Sequence, residues 1–358
     1  MPVRPTPPPE GAATRGLVSA VLKAVVVKVS DAVVGTLVDH TTSFVLSTLA
    51  VGFETLVWKK KGLAEGWLTV TKDTLGARAL KKGVPSSAER SLLLLHGTFS
   101  NAASAYGPLA ASSFFQDVRP LYGDRIFAFD HFSVSRTPED NARMLLEALP
   151  KGTFTFDVIT HSRGGLVLRN LVEQSAAFGA LGSRFTLGRA VLVAAPNEGT
   201  PLATPSRWED TVGWVANLLE LFPIDNPFVT GAEFVANALV WMAKHASGDL
   251  PGLRAMDGDG ELIRRLQSAG GAPAADRYSV LAANYVPAGN VLARLVDIGV
   301  DQFFNGANDL VVPAEGGWRV DASGRAFIPG ARIACFGPGG NIARSDVTHV
   351  NFLSLIHI

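Results

Sequence analysis

From about residue 66 onward, short apolar runs alternate with helix-like segments, and this alternation constrains the fold more than any other feature. The apolar runs have the length and the composition of buried strands. They lie at Trp67–Val70, Ser91–Leu95, Arg125–Phe129, Phe154–Ile159, Ala190–Ala194, Tyr278–Ala282 and Arg332–Phe336. Thr137–Leu149 and Gly165–Ala177 are two of the helix-like segments between them. This order predicts an α/β fold with a mostly parallel central sheet flanked by helices, in which ligands bind beyond the carboxyl ends of the strands.

The stretch 157–165 places a serine at the point where a predicted strand runs into a helix. It reads Asp-Val-Ile-Thr-His-Ser-Arg-Gly-Gly, so Gly164 and Gly165 closely follow Ser162. A chain that passes from strand to helix within a few residues is strained at the serine and needs small neighbours around it. Ser162 is therefore a candidate nucleophile. Thr160 stands where the usual Gly-x-Ser-x-Gly pattern has its first glycine.

A nucleophilic serine needs a base and an acid that orients the base. Among the seven histidines, His349 follows the last predicted strand by a loop and precedes an apolar helix-like run, so it is the expected base. His131, which also follows a strand, remains an alternative. Asp309 lies between the sixth and the last strand and is the expected acid, while Glu198, just after the fifth strand, is the alternative acid.

Backbone amides near the serine are the expected donors to an oxyanion. The buried run that ends at Leu95 passes into the turn His96-Gly97-Thr98. The N–H of Thr98 and the N–H of Arg163, directly after the serine, are the two candidate donors. Such donors stabilise the negative charge that develops during acyl transfer.

These motifs together resemble the α/β-hydrolase superfamily, and more narrowly its bacterial lipase and esterase branch. The resemblance rests on the elbow at 160–165, the His-Gly turn at 96–98, the Pro-x-x-Gly-Thr-Pro-like stretch at 195–203 and the segment 250–256. It covers residues 66–358. It implies an α/β-hydrolase fold whose catalytic triad is Ser162, Asp309 and His349.

Residues 207–247 interrupt the alternation with apolar positions at helical spacing and several tryptophans. Ordinary helix packing is one interpretation. The other is a helical lid insertion at about 204–256, whose side chains Trp214, Phe222 and Trp241 bind the acyl part of a substrate.

The N-terminal region divides into a disordered proline-rich tail at 1–14 and a helical extension at 15–65. Its most apolar run, Phe44–Trp58, includes Glu54 and is shorter than the roughly 20 residues of a membrane-spanning helix. Lys59, Lys60 and Lys61 follow it. The extension is expected either to pack on the domain or to contact a membrane peripherally through residues 15–61.

Composition excludes several classes of function. The formal net charge is zero, so a nucleic-acid partner is not expected. The single cysteine, Cys335, cannot form an intramolecular disulfide and fits a reducing compartment, so we expect a cytoplasmic protein, or one peripheral to the inner face of the membrane. No metal motif is present, and a serine triad works without a cofactor. The sequence does not define an oligomeric state.

The expected function is hydrolysis of carboxylic esters through an acyl-enzyme. The apolar lid and the N-terminal helices favour a small-molecule or lipid ester as the substrate. An acyltransferase with the same triad and a non-catalytic binding module on the same fold are the alternatives.

Overall fold

The computed structural model describes residues 51–204 except 53 and 57, together with 250–268, 274–286, 304, 306–349 and 351–355. Eight strands in these ranges form one sheet. They are β1 Gly66–Thr69, β2 Lys81–Lys82, β3 Ser91–Leu95, β4 Ile126–Asp130, β5 Phe154–His161, β6 Phe185–Val193, β7 Tyr278–Ala283 and β8 Ile333–Phe336. Their order across the sheet is β2-β1-β4-β3-β5-β6-β7-β8. Strand β1 pairs antiparallel with β2 and β4, and the pairs from β4 to β8 are parallel.

The strands predicted from apolar runs are all present, with ends that differ by a few residues. Strand β2 was not predicted. It consists of two exposed lysines at the edge of the sheet, so it buries no side chain and leaves no apolar pattern in the sequence. Charged residues are common at such edges because they discourage pairing with another chain.

Helices cover the sheet between the strands. They are α1 Lys72–Gly76, α2 Ala102–Tyr106, α3 Phe114–Tyr122, α4 Pro138–Glu147, α5 Gly164–Glu173, α6 Pro251–Arg254, α7 Glu261–Gln267 and α8 Phe352–Leu355. Thr137 and Asp140 form a capping box at the start of α4, which explains why this helix begins where it does. Before β1, the described residues between 51 and 60 are also helical, and we call them the N-terminal helix.

Strand β3 shows why the sheet is covered on both faces. Its four leucines are all buried, but they belong to two different cores. Leu93 and Leu95 pack in the cluster that includes α4 and α5. Leu92 and Leu94 pack in the cluster that includes α1, α2, α3 and α8. An unbroken apolar run is therefore the expected sequence of this strand, because neither side of it meets water.

The chain has the α/β-hydrolase fold: a sheet of mostly parallel strands, flanked by helices, with the elbow serine directly after a central strand. This confirms the predicted α/β fold with its mostly parallel central sheet, while the helical lid insertion and the N-terminal helical extension stay predictions. The tail at 1–14, the extension as far as residue 50 and most of the predicted lid, with Trp214, Phe222 and Trp241, lie outside the described residues. Among the helices that the structure describes, none combines the length and apolar character needed to cross a bilayer.

Candidate active site

The elbow is the sharp connection between β5 and α5. Strand β5 ends at His161, and α5 begins at Gly164. Between them Ser162 has a φ of 54°, in the left-handed region that non-glycine residues rarely adopt. The N–H of Ser162 donates to the carbonyl of Val193, at the end of β6, over 2.8 Å. Strained backbone of this kind is concentrated at functional sites, so the geometry marks Ser162 as a candidate nucleophile.

The two glycines after the serine are required by close packing. A Cβ at Gly164 would lie 2.2 Å from the carbonyl oxygen of Leu95, so the helix could not approach β3 with any side chain there. A Cβ at Gly165 would lie 2.5 Å from the Cβ of Ala195. Thr160, in place of the usual first glycine, is buried, and its hydroxyl donates to Val191 O over 3.4 Å. The fold therefore accommodates a threonine at the position where the usual elbow pattern has its first glycine.

His349 and Asp309 lie against each other. The Nδ1–H of His349 donates to Oδ2 of Asp309 over 2.9 Å, and the His349 N–H donates to the Asp309 carbonyl, also over 2.9 Å. Because a carboxylate only accepts hydrogen bonds, Nδ1 carries a proton, and in the neutral ring Nε2 therefore keeps its lone pair. This is the tautomer that a general base requires.

The second oxygen of Asp309 is fixed by its own loop. Oδ1 accepts from the N–H groups of Val311 and Val312 over 3.0 and 2.7 Å. The loop turns sharply because Leu310 has a φ of 80°, and its N–H donates to the side chain of Asn308 over 2.9 Å. The carboxylate consequently has one oxygen for its loop and one for His349.

His161, the last residue of β5, connects the elbow to the loop that carries His349. Its Nε2–H donates to the carbonyl of His349 over 2.8 Å, and the two rings are 5.0 Å apart. Burial lowers the pKa of His161 to about 4, with the charge of His349 acting in the same direction, so this ring is neutral near pH 7.

The side chain of Ser162 makes no hydrogen bond within the described part of the chain, so a Ser162–His349 bond is not formed in this conformation. Bonds of this type often tighten only when substrate binds.

The turn after β3 lies directly against the serine. A Cβ at Gly97 would lie 2.6 Å from the Cβ of Ser162 and 3.2 Å from its Oγ. Neither the N–H of Thr98 nor that of Arg163 donates to another group among the described residues. Tyr106 holds the ends of β3 and β5 together, because its single hydroxyl proton is shared between the carbonyls of Leu95 and Ile159, which lie 2.8 and 2.9 Å from the hydroxyl oxygen. The two candidate oxyanion donors thus directly follow Gly97 and Ser162, which lie against each other, and no described group accepts a hydrogen bond from them.

The alternative acid Glu198 and the alternative base His131 contact other groups. Glu198 faces Arg319 at 3.8 Å rather than His349, and partial burial raises the pKa of Glu198. His96 is fully buried, accepts the N–H of His131 over 3.1 Å and stacks on the His131 ring. Burial lowers the pKa of His96 to about 3. Three more histidines, at positions 40, 245 and 357, lie outside the described residues. The structure therefore joins His349 to Asp309 and, through His161, to the strand end that precedes Ser162; a triad of Ser162, Asp309 and His349 stays a prediction.

Two buried charged side chains beside the site were not recognised from the sequence. Glu54 was interpreted only as an interruption of an apolar run, and Arg163 only as a backbone donor. Both side chains are buried and hydrogen-bonded to backbone. A lone charge within an otherwise apolar run was the available signal for Glu54. Within the described ranges, no group of three or more His, Cys, Asp or Glu side chains could hold a metal ion.

Comparison with known proteins gives a family but not a function. No curated protein matches the chain. Among solved structures, the mature form of Bacillus licheniformis lipase BlEst2 is 16% identical, with a TM-score of 0.39, over 76% of this chain and 91% of that chain. Lipase 1 from Pelosinus fermentans is 12% identical, with a TM-score of 0.43, over 75% of this chain and 94% of that chain. The metagenomic carboxyl esterase MGS0156 is 21% identical, with a TM-score of 0.36, over 75% of this chain and 67% of that chain.

Sequence identities this low do not assign an activity to this chain. The model of the family described as "Domain of unknown function (DUF7379)" matches residues 62–355, which is most of the chain, so the protein belongs to that family.

Proposed function

We propose that this protein is a serine hydrolase that cleaves carboxylic esters through an acyl-enzyme. The observation that carries the proposal is the 2.9 Å hydrogen bond from His349 Nδ1 to Asp309 Oδ2, with His349 bonded to His161, the residue before the left-handed elbow serine. A buried carboxylate that orients a histidine next to such a serine is the arrangement that acyl transfer requires.

In the proposed reaction, Ser162 Oγ attacks the ester carbonyl carbon while His349 Nε2 takes the hydroxyl proton. The N–H groups of Thr98 and Arg163 donate to the oxyanion of the tetrahedral intermediate. The intermediate collapses as the C–O bond to the alcohol breaks, and His349 returns the proton to the leaving alcohol. A water molecule then repeats the sequence on the acyl-enzyme, which releases the acid and regenerates Ser162. Asp309 holds the imidazole and stabilises its positive charge at each transfer.

The proposed substrate is a lipid-like ester of the kind that the lipase and esterase branch cleaves. The apolar run before residue 58 and the apolar segment at 207–247 support this choice. Their length and composition suit contact with acyl chains.

Peripheral contact with the inner face of the cytoplasmic membrane is the proposed setting. The N-terminal helix buries Glu54 and Trp58, while Leu56 is 62% exposed and Lys59, with the lysines after it, is exposed. An outward face with an apolar side chain and clustered lysines suits an anionic lipid surface. Cosedimentation with phosphatidylglycerol vesicles tests this part: wild type should bind, and reversal of Lys59–Lys61 to glutamates should weaken binding. Equal binding of both proteins would contradict it.

The proposal is tested by hydrolysis of p-nitrophenyl esters from acetate to palmitate, with Ser162→Ala as the control. Wild-type protein should release p-nitrophenol and hydrolyse esters of longer acyl groups faster. The Ser162→Ala variant should show no turnover. A folded wild type that is inactive on every ester, with and without detergent micelles, would contradict the proposed function. Preferential transfer of the acyl group to an added alcohol, in excess water, would identify an acyltransferase instead.

A further inference from the structure

Glu54 is buried, and both oxygens of its carboxylate accept hydrogen bonds from residues 133–135 of one loop. It is 1% exposed. Its Oε1 accepts from the N–H groups of Ser133 and Val134 over 2.9 and 3.0 Å. Its Oε2 accepts from the N–H of Ser135, over 2.8 Å, and from the Ser135 hydroxyl. Burying a carboxylate costs several kcal/mol unless it is paired in this way, so the contacts fix both the helix and the loop.

The same loop, residues 133–136, is held on another side by the side chain of Arg163. The guanidinium donates to the carbonyl of Arg136, to the carbonyl of Gly252 over 3.2 Å and to Oδ1 of Asn141 over 2.9 Å. Burial lowers the pKa of Arg163 to about 10 while the charge of Glu54 opposes that shift. The Glu54 carboxylate therefore binds N–H groups of this loop, and the Arg163 guanidinium binds one of its carbonyl groups.

The loop is bonded to the turn that carries the oxyanion donor. The N–H of Phe99 donates to Oγ of Ser133 over 2.8 Å. Phe99 has a φ of 55°, so the turn depends on contacts that hold it in this conformation. Trp58, also in the N-terminal helix, packs edge-on against Phe132 with ring centroids 5.1 Å apart and lies 6.4 Å from the His96 ring. Contacts from this helix thus reach both sides of the Gly97-Thr98 turn.

We propose that Glu54 is a positioning residue that sets the Thr98 N–H through Ser133 and Phe99, which makes the N-terminal helix part of the catalytic apparatus. The role in catalysis rests on the proposed function. The helix precedes residue 62, so it lies outside the segment that the family model matches. The proposal therefore assigns a role to a part of the chain that the family does not define.

Glu65 provides a matched control. Its carboxylate also binds the segment, accepting from the N–H of Phe132 over 2.9 Å and from the Arg136 guanidinium over 3.0 Å. Its hydrogen bonds among the described residues go to Phe132 and Arg136 and not to Ser133, so it stabilises the loop without acting on the Ser133–Phe99 bond. The Glu65→Gln variant therefore shows how much a less stable loop, by itself, changes amide exchange and kcat.

The experiment compares Glu54→Gln, Ser133→Ala and Glu65→Gln in the full chain by amide hydrogen exchange and by steady-state hydrolysis of p-nitrophenyl butyrate. Glu54→Gln should speed exchange in both 132–136 and 97–100. Ser133→Ala should speed it in 97–100, and Glu65→Gln only in 132–136. Glu54→Gln and Ser133→Ala should lower kcat by about 10- to 100-fold at similar KM, below the loss of a whole oxyanion donor. Glu65→Gln should leave kcat within about twofold of wild type.

Unchanged exchange at 97–100 in Glu54→Gln would overturn the proposal, as would equal kcat losses in Glu54→Gln and Glu65→Gln. If Glu54→Gln does not fold, Ser133→Ala decides, because it removes only the bond to Phe99 and leaves the Glu54 amide contacts in place. Exchange does not depend on turnover. An inactive wild type would therefore refute the proposed function, while the exchange pattern would still decide whether Glu54 positions the turn.

Discussion

Replacing Gly165 by alanine tests whether the packing of α5 sets the position of the site. The added Cβ would lie 2.5 Å from the Cβ of Ala195, which is fully buried. Carbon atoms pack favourably at about 3.5–4.0 Å, so helix and loop must separate by roughly 1 Å. The colliding atom is a methyl group attached directly to backbone and cannot rotate away. The movement must therefore displace α5, including the nearby N–H of Arg163.

The expected loss of stability follows from two opposing effects. Overpacking a close-packed core costs about 1–3 kcal/mol, while alanine in a helix is favoured over glycine by up to about 1 kcal/mol. We therefore expect Gly165→Ala to lower the free energy of unfolding by about 1–2 kcal/mol. Ala195→Gly should lower it by a similar amount, since it removes a buried methyl and frees the backbone. The double variant relocates the methyl group, so its loss should be smaller than the sum by about 1 kcal/mol or more.

Urea unfolding of the four proteins of this cycle measures the stability changes, and ester hydrolysis measures the effect on the site. A misplacement of 1 Å can cost about 100-fold in rate, so kcat should fall sharply in Gly165→Ala and recover in the double variant. Gly107→Ala is the control, because a Cβ there has no neighbour within 4 Å. An additive cycle, or a Gly165→Ala protein as active and stable as wild type, would refute the packing argument.

Three further predictions concern the charges and hydrogen bonds of the site. Asp309→Asn should lower kcat by about 10⁴-fold because an amide can favour the wrong tautomer of the base, whereas Glu198→Gln should leave kcat unchanged; the two kcat values, with circular dichroism as a check of folding, test this. Burial lowers the pKa of His161 to about 4 from 6.5, so the unfolded chain binds this proton first. The His161 contribution to the unfolding free energy should therefore be complete above pH 6.5 and decrease by about 3 kcal/mol toward pH 4, and buried His96 and His131, whose pKa values are also lowered, add to the decrease. Urea titrations at several pH values should show a shallower decrease in His161→Gln. Tyr106→Phe should cost about 1–3 kcal/mol in urea unfolding, because it removes the hydroxyl that bonds two carbonyls at the ends of β3 and β5; an unchanged midpoint would contradict this.

The sequence predicted the parts of the fold that depend on side-chain patterns. The four leucines of 92–95 predicted a doubly buried strand, and Ser162 with its two glycines predicted the elbow, because both features restrict which residue types fit. Strand β2 could not be predicted, since exposed lysines at a sheet edge carry no such restriction.

The sequence left the acid open between Asp309 and Glu198 because both follow predicted strands. The direction of each carboxylate depends on loop backbone. At Asp309 that direction is set by the left-handed Leu310 and by two amides of the same loop, and neither leaves a pattern in residue types. The role of Glu54 was missed for a related reason. Its partners are mainly backbone N–H groups 79 to 81 residues away in the chain, and any residue type except proline can supply them.

The central claim is that Ser162 is an activated nucleophile oriented by His349 and Asp309. Labelling with a fluorophosphonate, followed by peptide mass spectrometry, tests it most directly because the reagent reacts much faster with an activated serine than with an ordinary one. We predict one adduct, on the peptide that contains Ser162, which is absent in Ser162→Ala and forms far more slowly in His349→Ala. An adduct on another residue, or no adduct in folded wild type with or without detergent, would contradict it.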